Sequence, residues 1–150
     1  MDKKLKSEIR SSIELLSELL SPHSVVLYIK GRDGFFEIED FISSSEKYID
    51  RSQKLHIRCG YLGWVVKTRT PILVGEIKNH KENLIYYTKN IPVKSILAVP
   101  LILKDGENES VNEQDTIGIV LVDSLKKDAF EEREKQIVML TSNKIVDTLI

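Results

Sequence analysis

The sequence predicts an α+β domain in which an antiparallel sheet carries helices on one side. Three observations predict it. Apolar residues recur at Leu5, Ile9, Ile13, Leu16 and Leu20, mostly four apart, which is the stripe of an amphipathic helix. Two stretches, Ser95 to Leu103 and Thr116 to Asp123, are apolar nearly throughout, as central strands covered on both faces should be. The full order is helix, hairpin, helical crossover region, two central strands and helix.

Leu15 and Leu19 widen the stripe of the first helix, and Ser21-Pro22 ends it, because proline cannot continue the hydrogen-bond ladder and bars helical geometry before it. Ser24 to Lys30 is β-branched and aromatic, Gly31-Arg32-Asp33-Gly34 has turn chemistry, and Phe35 to Ser43 is strand-like again, so a hairpin is expected. Residues Glu46 to Lys54 are polar, and Leu55 to Arg58 alternates as an edge strand would. Gly60-Tyr61-Leu62-Gly63 introduces a short buried helix at Trp64 to Thr68, followed by an extended Pro71 to Val74. From Gly75 to Asn90 we expect loop, with one helical turn around Asn83 to Thr88.

Pro100 removes a ladder donor and predicts a bulge or an unpaired stretch there. Lys104 to Asp115 is polar and acidic, the composition of a solvent-exposed hairpin loop. Asp128 and Glu131 have the spacing of a capping box, so a final helix should start at Asp128 and run through Ile137, Val138, Leu140, Ile145, Val146, Leu149 and Ile150. No glycine or proline ends it, which suggests either a longer helix that has been cut or one that continues into an output domain.

Composition narrows the function. At 150 residues, with 41% hydrophobic and 30% charged residues and no compositional break, residues 1–150 read as one folded domain. Twenty-two basic residues against 23 acidic ones leave a net charge of −1, which disfavours nucleic acid and anionic membranes as partners. The longest apolar run, Ile96 to Leu103, is far short of the roughly 20 residues that span a bilayer. A single cysteine, Cys59, rules out an internal disulfide and fits a reducing, cytoplasmic setting.

Gly60-Tyr61-Leu62-Gly63-Trp64-Val65-Val66, followed by Thr68-Arg69-Thr70-Pro71-Ile72-Leu73-Val74, resembles the GAF domain family's glycine-flanked helix and proline-led strand. Lys94 to Leu101 resembles that family's central strand, and Ile117 to Asp123 with Phe130 resembles its next strand and helix start. The pieces stand in family order over residues 60 to 137. The resemblance implies a profilin-like antiparallel sheet of about six strands, with the terminal helices together on one face and crossover segments and a ligand pocket on the other. It further implies homodimers built from the terminal helices, and a small-molecule-sensing regulatory domain of a signal transduction protein, followed by an output domain. Both terminal helices carry more apolar positions than one sheet face requires, which fits a partner helix. The alternative is a ligand-free dimerisation or interaction module.

No enzyme is expected, and no catalytic residue is assigned: the chain has no Gly-x-Ser-x-Gly elbow, His-Glu-x-x-His pair or Walker loop. His56 and Cys59 are too few for zinc, and His23 and His80 lack matching spacing, so no metal is expected. One cysteine cannot run the thiol exchange of the family's sulfoxide-reducing relatives, and Cys59 lacks the neighbouring histidine of its bilin-binding ones. Asn143-Lys144 lies too late, and Phe130-Glu131-Glu132 lacks the gap, for the cyclic-nucleotide pattern. Sterics outweigh anion binding as the reason for Gly60 and Gly63.

The ligand-binding candidates are Trp64, Glu76, Tyr86, Tyr87 and Ser95, with the small molecule and any cofactor unidentified. Trp64 offers a stacking face, though a core position is its commoner use. Tyr86 and Tyr87 sit in the crossover, where the resemblance implies a pocket lid, and only one of two adjacent tyrosines is expected to point inward. Ser95 offers a hydroxyl and Glu76 a carboxylate near the rim. Asp123 reads simply as a strand terminator.

Overall fold

The computed structural model describes residues 1–103 and 115–150; the expected loop from Lys104 onward lies outside the described residues. The first helix, α1 (Lys3–Leu20), is capped by the Asp2 side chain, which accepts from the Leu5 amide. It stops as predicted, at Ser21, whose φ of 46° opens a left-handed turn before Pro22. The hairpin follows as β1 (Ser24–Lys30) and β2 (Phe36–Ser43), with a 3-10 turn at Glu46–Tyr48. Next come β3 (Lys54–Leu55), α2 (Gly60–Thr68), β4 (Ile72–Val74) and α3 (His80–Asn83). β5 (Ser95–Ile102), β6 (Thr116–Ser124) and α4 (Glu132–Leu149) complete the described elements.

The sheet is antiparallel throughout, with six strands in the order β3-β2-β1-β6-β5-β4, so the two most apolar strands lie inside it. Strand alternation divides the core in two. Val25, Leu27, Leu97, Val99, Leu101, Val120 and Val122 point one way and pack with Ile9, Ile13 and Leu16 of α1 and Val138, Ile145 and Val146 of α4. Val26, Tyr28, Ile96, Ala98, Ile119 and Leu121 point the other way, under α2 and the crossover segment. The expected architecture is therefore present: terminal helices on one face and the crossover on the other.

Three local expectations are corrected, and a fourth, at Pro100, is met on one side of the strand only. The edge strand at Leu55 to Arg58 is only Lys54–Leu55, because pairing with β2 is confined to Phe36↔Leu55 and Glu37↔Lys54. The helical turn expected at Asn83 to Thr88 sits earlier, at His80–Asn83, where the Asn83 side chain bonds the carbonyls of Lys78 and Asn79 and closes the turn. α4 starts at Glu132 rather than Asp128: Asp128 has a φ of 50° and donates its amide to the Gly75 carbonyl, so the capping box forms between Glu131 and Glu134 instead. Pro100 pairs in register with Ile119, and the irregularity falls one step later, between Leu101 and Ile102. The β4 ladder ends at Ala98, so Pro100 lies where one side of β5 is already unpaired.

Candidate functional site

α2 begins on Gly60 at a φ of 69°, and a Cβ there would lie 2.5 Å from Asn83 Oδ1. The same oxygen accepts the Tyr61 amide at 2.7 Å, fastening α3 to the start of α2. A Cβ on Gly63 would lie 2.5 Å from the Arg58 carbonyl carbon, so both glycines answer close approach, Gly60 by a side-chain oxygen and Gly63 by backbone. Steric need was the reading favoured from the sequence.

Beyond α3 the chain crosses the sheet as an irregular segment, stitched down residue by residue. Gln53 Nε2 donates to Ile85 O (2.6 Å), Asp50 N to Tyr86 O (2.9 Å) and Thr88 N to Tyr48 O (2.7 Å). His80 Nε2 bonds Val93 O at 2.7 Å, and a carbonyl only accepts, so that nitrogen carries a proton. Between this segment and residues 53–59 lies a cleft of about 730 Å³, within the range of small-molecule sites. Leu55, Ile57, Leu84 and Ile91 line it with apolar surface, Arg58, Lys81, Lys89 and Glu82 with charge, and Tyr87 forms part of its wall.

Behind that wall lies a buried polar cluster. Tyr87 Oη donates to Asp123 Oδ2 at 2.6 Å and Tyr86 Oη to the same oxygen at 2.7 Å. Ser24 Oγ is 2.7 Å from Tyr87 Oη and 2.6 Å from Ser43 Oγ. Ser43 Oγ in turn accepts the Ser45 amide, and Ser45 Oγ is 2.8 Å from His23 Nε2. The chain of contacts thus runs from the loop before β1 to the end of β6. Asp123 reaches it because it shares strand parity with Ile119 and Leu121, which face the crossover.

Desolvation pushes the Asp123 carboxyl above its ordinary value, against the pull of Tyr87, Tyr86, His23 and the Ser24 amide. Its Oδ1 has no hydrogen-bond partner among the described residues. Burial first, then the charge of Asp123, raises the phenols of Tyr86 and Tyr87, which stay neutral donors. Tyr28, fully buried beneath them, is raised by burial and by the charge of Asp50.

Of the candidates, Tyr86 and Tyr87 are brought together, their ring centroids 4.6 Å apart. Both point inward, contrary to the expectation that one would. The segment has no strand or helix geometry at Tyr86, so the alternation that would separate neighbours does not apply. Ser95 shares strand parity with Leu97 and Val99 and so faces the helices, where its Oγ donates to Lys126 O at 2.7 Å. Glu76 is on the surface, paired with Lys127 (3.4 Å) and Lys78 (3.7 Å). Trp64 is 46% exposed, so the core role is not the one it takes; it borders a second, shallow depression with Tyr61, Ile72 and Lys78.

Asp123 was passed over as a terminator. The available signal was a carboxylate closing an apolar run, which a strand covered on both faces tolerates only with donors supplied from elsewhere. Among the described residues no three His, Cys, Asp or Glu side chains gather as a metal site would require, and no helix is long and apolar enough to cross a membrane.

Known structures share this fold at low identity. A type II free methionine-R-sulfoxide reductase from Thermoplasma acidophilum aligns with a TM-score of 0.77 at 16% identity, over 98% of this chain and 93% of its own. The GAF domain of a phosphoenolpyruvate-protein phosphotransferase from Coxiella burnetii aligns at 0.72 and 17%, over 97% and 82%. A GAF domain/HD domain protein from Geobacter sulfurreducens aligns at 0.73 and 14%, over 97% and 91%. Among curated proteins none matches by sequence. The GAF domain family model matches residues 5–148, nearly the whole chain, and the protein therefore belongs to the GAF domain family of regulatory and sensor domains in signalling proteins.

Proposed function

We propose that the protein binds a small molecule in the cleft under residues 80–91 and transmits occupancy to α1 and α4, and through them to an output domain or partner. One observation carries this reading: Tyr87 is both a wall of the cleft and a donor to Asp123, which lies on the strand that leads into α4. A ligand that shifts Tyr87 also disturbs a buried bond at the far side of that wall. Past Asp123, the connection to α4 is held by Ser95 Oγ on Lys126 O and by the Asp128 amide on Gly75 O. Displacing the end of β6 therefore moves the start of α4, and a ligand with unequal affinity for the two positions shifts their populations.

The reading is non-enzymatic and cytoplasmic. Cys59 has no second cysteine in the chain with which to form an internal disulfide, which disfavours a reductase that works by internal thiol exchange. The domain pairing named for the Geobacter protein supports an output domain for this one. A ligand-free interaction module is the second reading, favoured by the exposed leucines of α1 and α4; homodimerisation through those helices belongs to both.

The test is a thermal-shift screen with nucleotides, amino acids and aromatic acids, followed by hydrogen exchange on any compound that stabilises. Binding should change exchange in residues 84–94 and at the start of α4 together, and Tyr87→Phe should keep the first change and lose the second. A screen without stabilisation favours the interaction module, and protection confined to 84–94 refutes the transmission route.

A further inference from the structure

We propose that the ligand of this cleft is a small organic anion, a carboxylate or phosphate ester on a compact apolar body, met by Arg58, Lys81 and Lys89. The proposal rests on reading the cleft as the ligand site and adds the chemistry of what enters it.

The charge is local. The chain as a whole is slightly acidic, at −1, yet the cleft lining carries Arg58, Lys81 and Lys89 against the single carboxylate Glu82. A concave surface lined by one sign of charge concentrates its field at the mouth and raises the local concentration of oppositely charged solutes. Some cations elsewhere on the surface are neutralised by a neighbour: Arg10 pairs with Glu14 and Asp40, Lys54 with Asp33, and Lys127 with Glu76. Arg58 and Lys81 make no ion pair among the described residues, although Glu82 is on the same rim. Lys89 rests its ammonium 4.3 Å from the Tyr48 ring centroid, a contact that orients the side chain and leaves its charge intact.

The interior selects the rest of the molecule. Leu55, Ile57, Leu84 and Ile91 offer no polar partner, so a bare inorganic ion would meet the rim and leave this surface wet. Two donors of the lining are engaged, Gln53 Nε2 on Ile85 O and His80 Nε2 on Val93 O, while Gln53 Oε1 is buried with no hydrogen-bond partner among the described residues. A cationic ligand would face three like charges across the same opening. The arrangement therefore fits an amphipathic anion, its apolar part inward and its charge at the rim.

The experiment uses the full chain, labelled with ¹⁵N and titrated with matched compounds while backbone amide shifts are followed. Benzoate, benzamide and benzylamine form the carboxylate arm; phenyl phosphate, phenol and inorganic phosphate form the phosphate arm. In at least one arm the organic anion should perturb residues 53–59 and 80–91 and bind about tenfold tighter than its neutral analogue, the worth of one charge-assisted hydrogen bond. Whichever arm responds identifies the charged group. Arg58→Gln with Lys81→Gln, both at exposed positions, should lose about that factor with an unchanged melting temperature. Added sodium chloride should weaken binding in the same direction.

Equal binding of neutral and anionic partners, equal binding of benzylamine, an unaffected double variant, or no binding in either arm would overturn the proposal. Inorganic phosphate binding as tightly as phenyl phosphate would overturn its apolar half. Amides of α1 and α4 report separately: binding that leaves them still refutes the sensor reading and upholds the ligand class.

Discussion

Asp123 is buried at the end of a central strand, where a charge is tolerated only because Tyr86 and Tyr87 both donate to it. Its raised pKa means that the folded state holds this proton more tightly than the unfolded chain, whose value is near 3.8. Between that value and the folded one the folded state binds more protons, so this group's contribution to stability grows as pH falls into that window and is lost as pH rises through the folded pKa. Asp123→Asn keeps an acceptor for the phenols and removes the titration. In urea unfolding at a series of pH values, the wild type should therefore gain on the variant as pH drops from 7 towards 4, and a pH-independent difference would contradict the assignment. This residue was the hardest to see in the sequence. Tyr86 and Tyr87 stand out as adjacent aromatics, but their shared acceptor lies 37 and 36 positions away, and the carboxylate closing an apolar run signals a need for donors without saying where in the chain they come from.

At the scale of elements, what local chemistry decides was legible and what a tertiary contact decides was not. Ser21-Pro22 stops α1 by its own backbone preferences, so its end was readable. Asp128 and Glu131 offer overlapping capping boxes, and the choice between them is made by Gly75, whose carbonyl takes the Asp128 amide. The cleft wall is set the same way. α2 packs so near residue 58 that Gly63 has no room for a side chain: a Cβ would lie 2.5 Å from the Arg58 carbonyl carbon and 2.8 Å from its oxygen, both backbone atoms that cannot swing aside. Gly63→Ala should therefore destabilise the domain by about 1–3 kcal/mol, the usual cost of overpacking, by pushing residues 53–59 away from α2. Chemical denaturation gives the cost, and amide shifts in 53–59 give its location. A variant as stable as the wild type would show that the approach relaxes freely.

For the molecule as a whole, the two-sided core follows from the apolar runs of β5 and β6, which need cover on both faces and receive it from α1 and α4 on one side and the crossover on the other. The cover is more apolar than its task requires. Leu15 and Leu19 on α1 are 46% and 57% exposed, and Leu140 on α4 is 70% exposed, although both helices already bury their inner stripes. Fully burying one leucine contributes about 1.5–3 kcal/mol, and a two-fold interface buries each position twice. That gain is commensurate with the roughly 4–15 kcal/mol that association costs in lost freedom, which makes a reversible dimer through these helices the expected state. Leu140→Glu places a charge on the most exposed of the three, far from the cleft and outside both cores, so it should leave the fold intact and shift the protein to monomer in analytical ultracentrifugation. A wild-type chain that sediments as a monomer at the highest accessible concentration, or a variant that dimerises as well as the wild type, would place the partner of these leucines elsewhere.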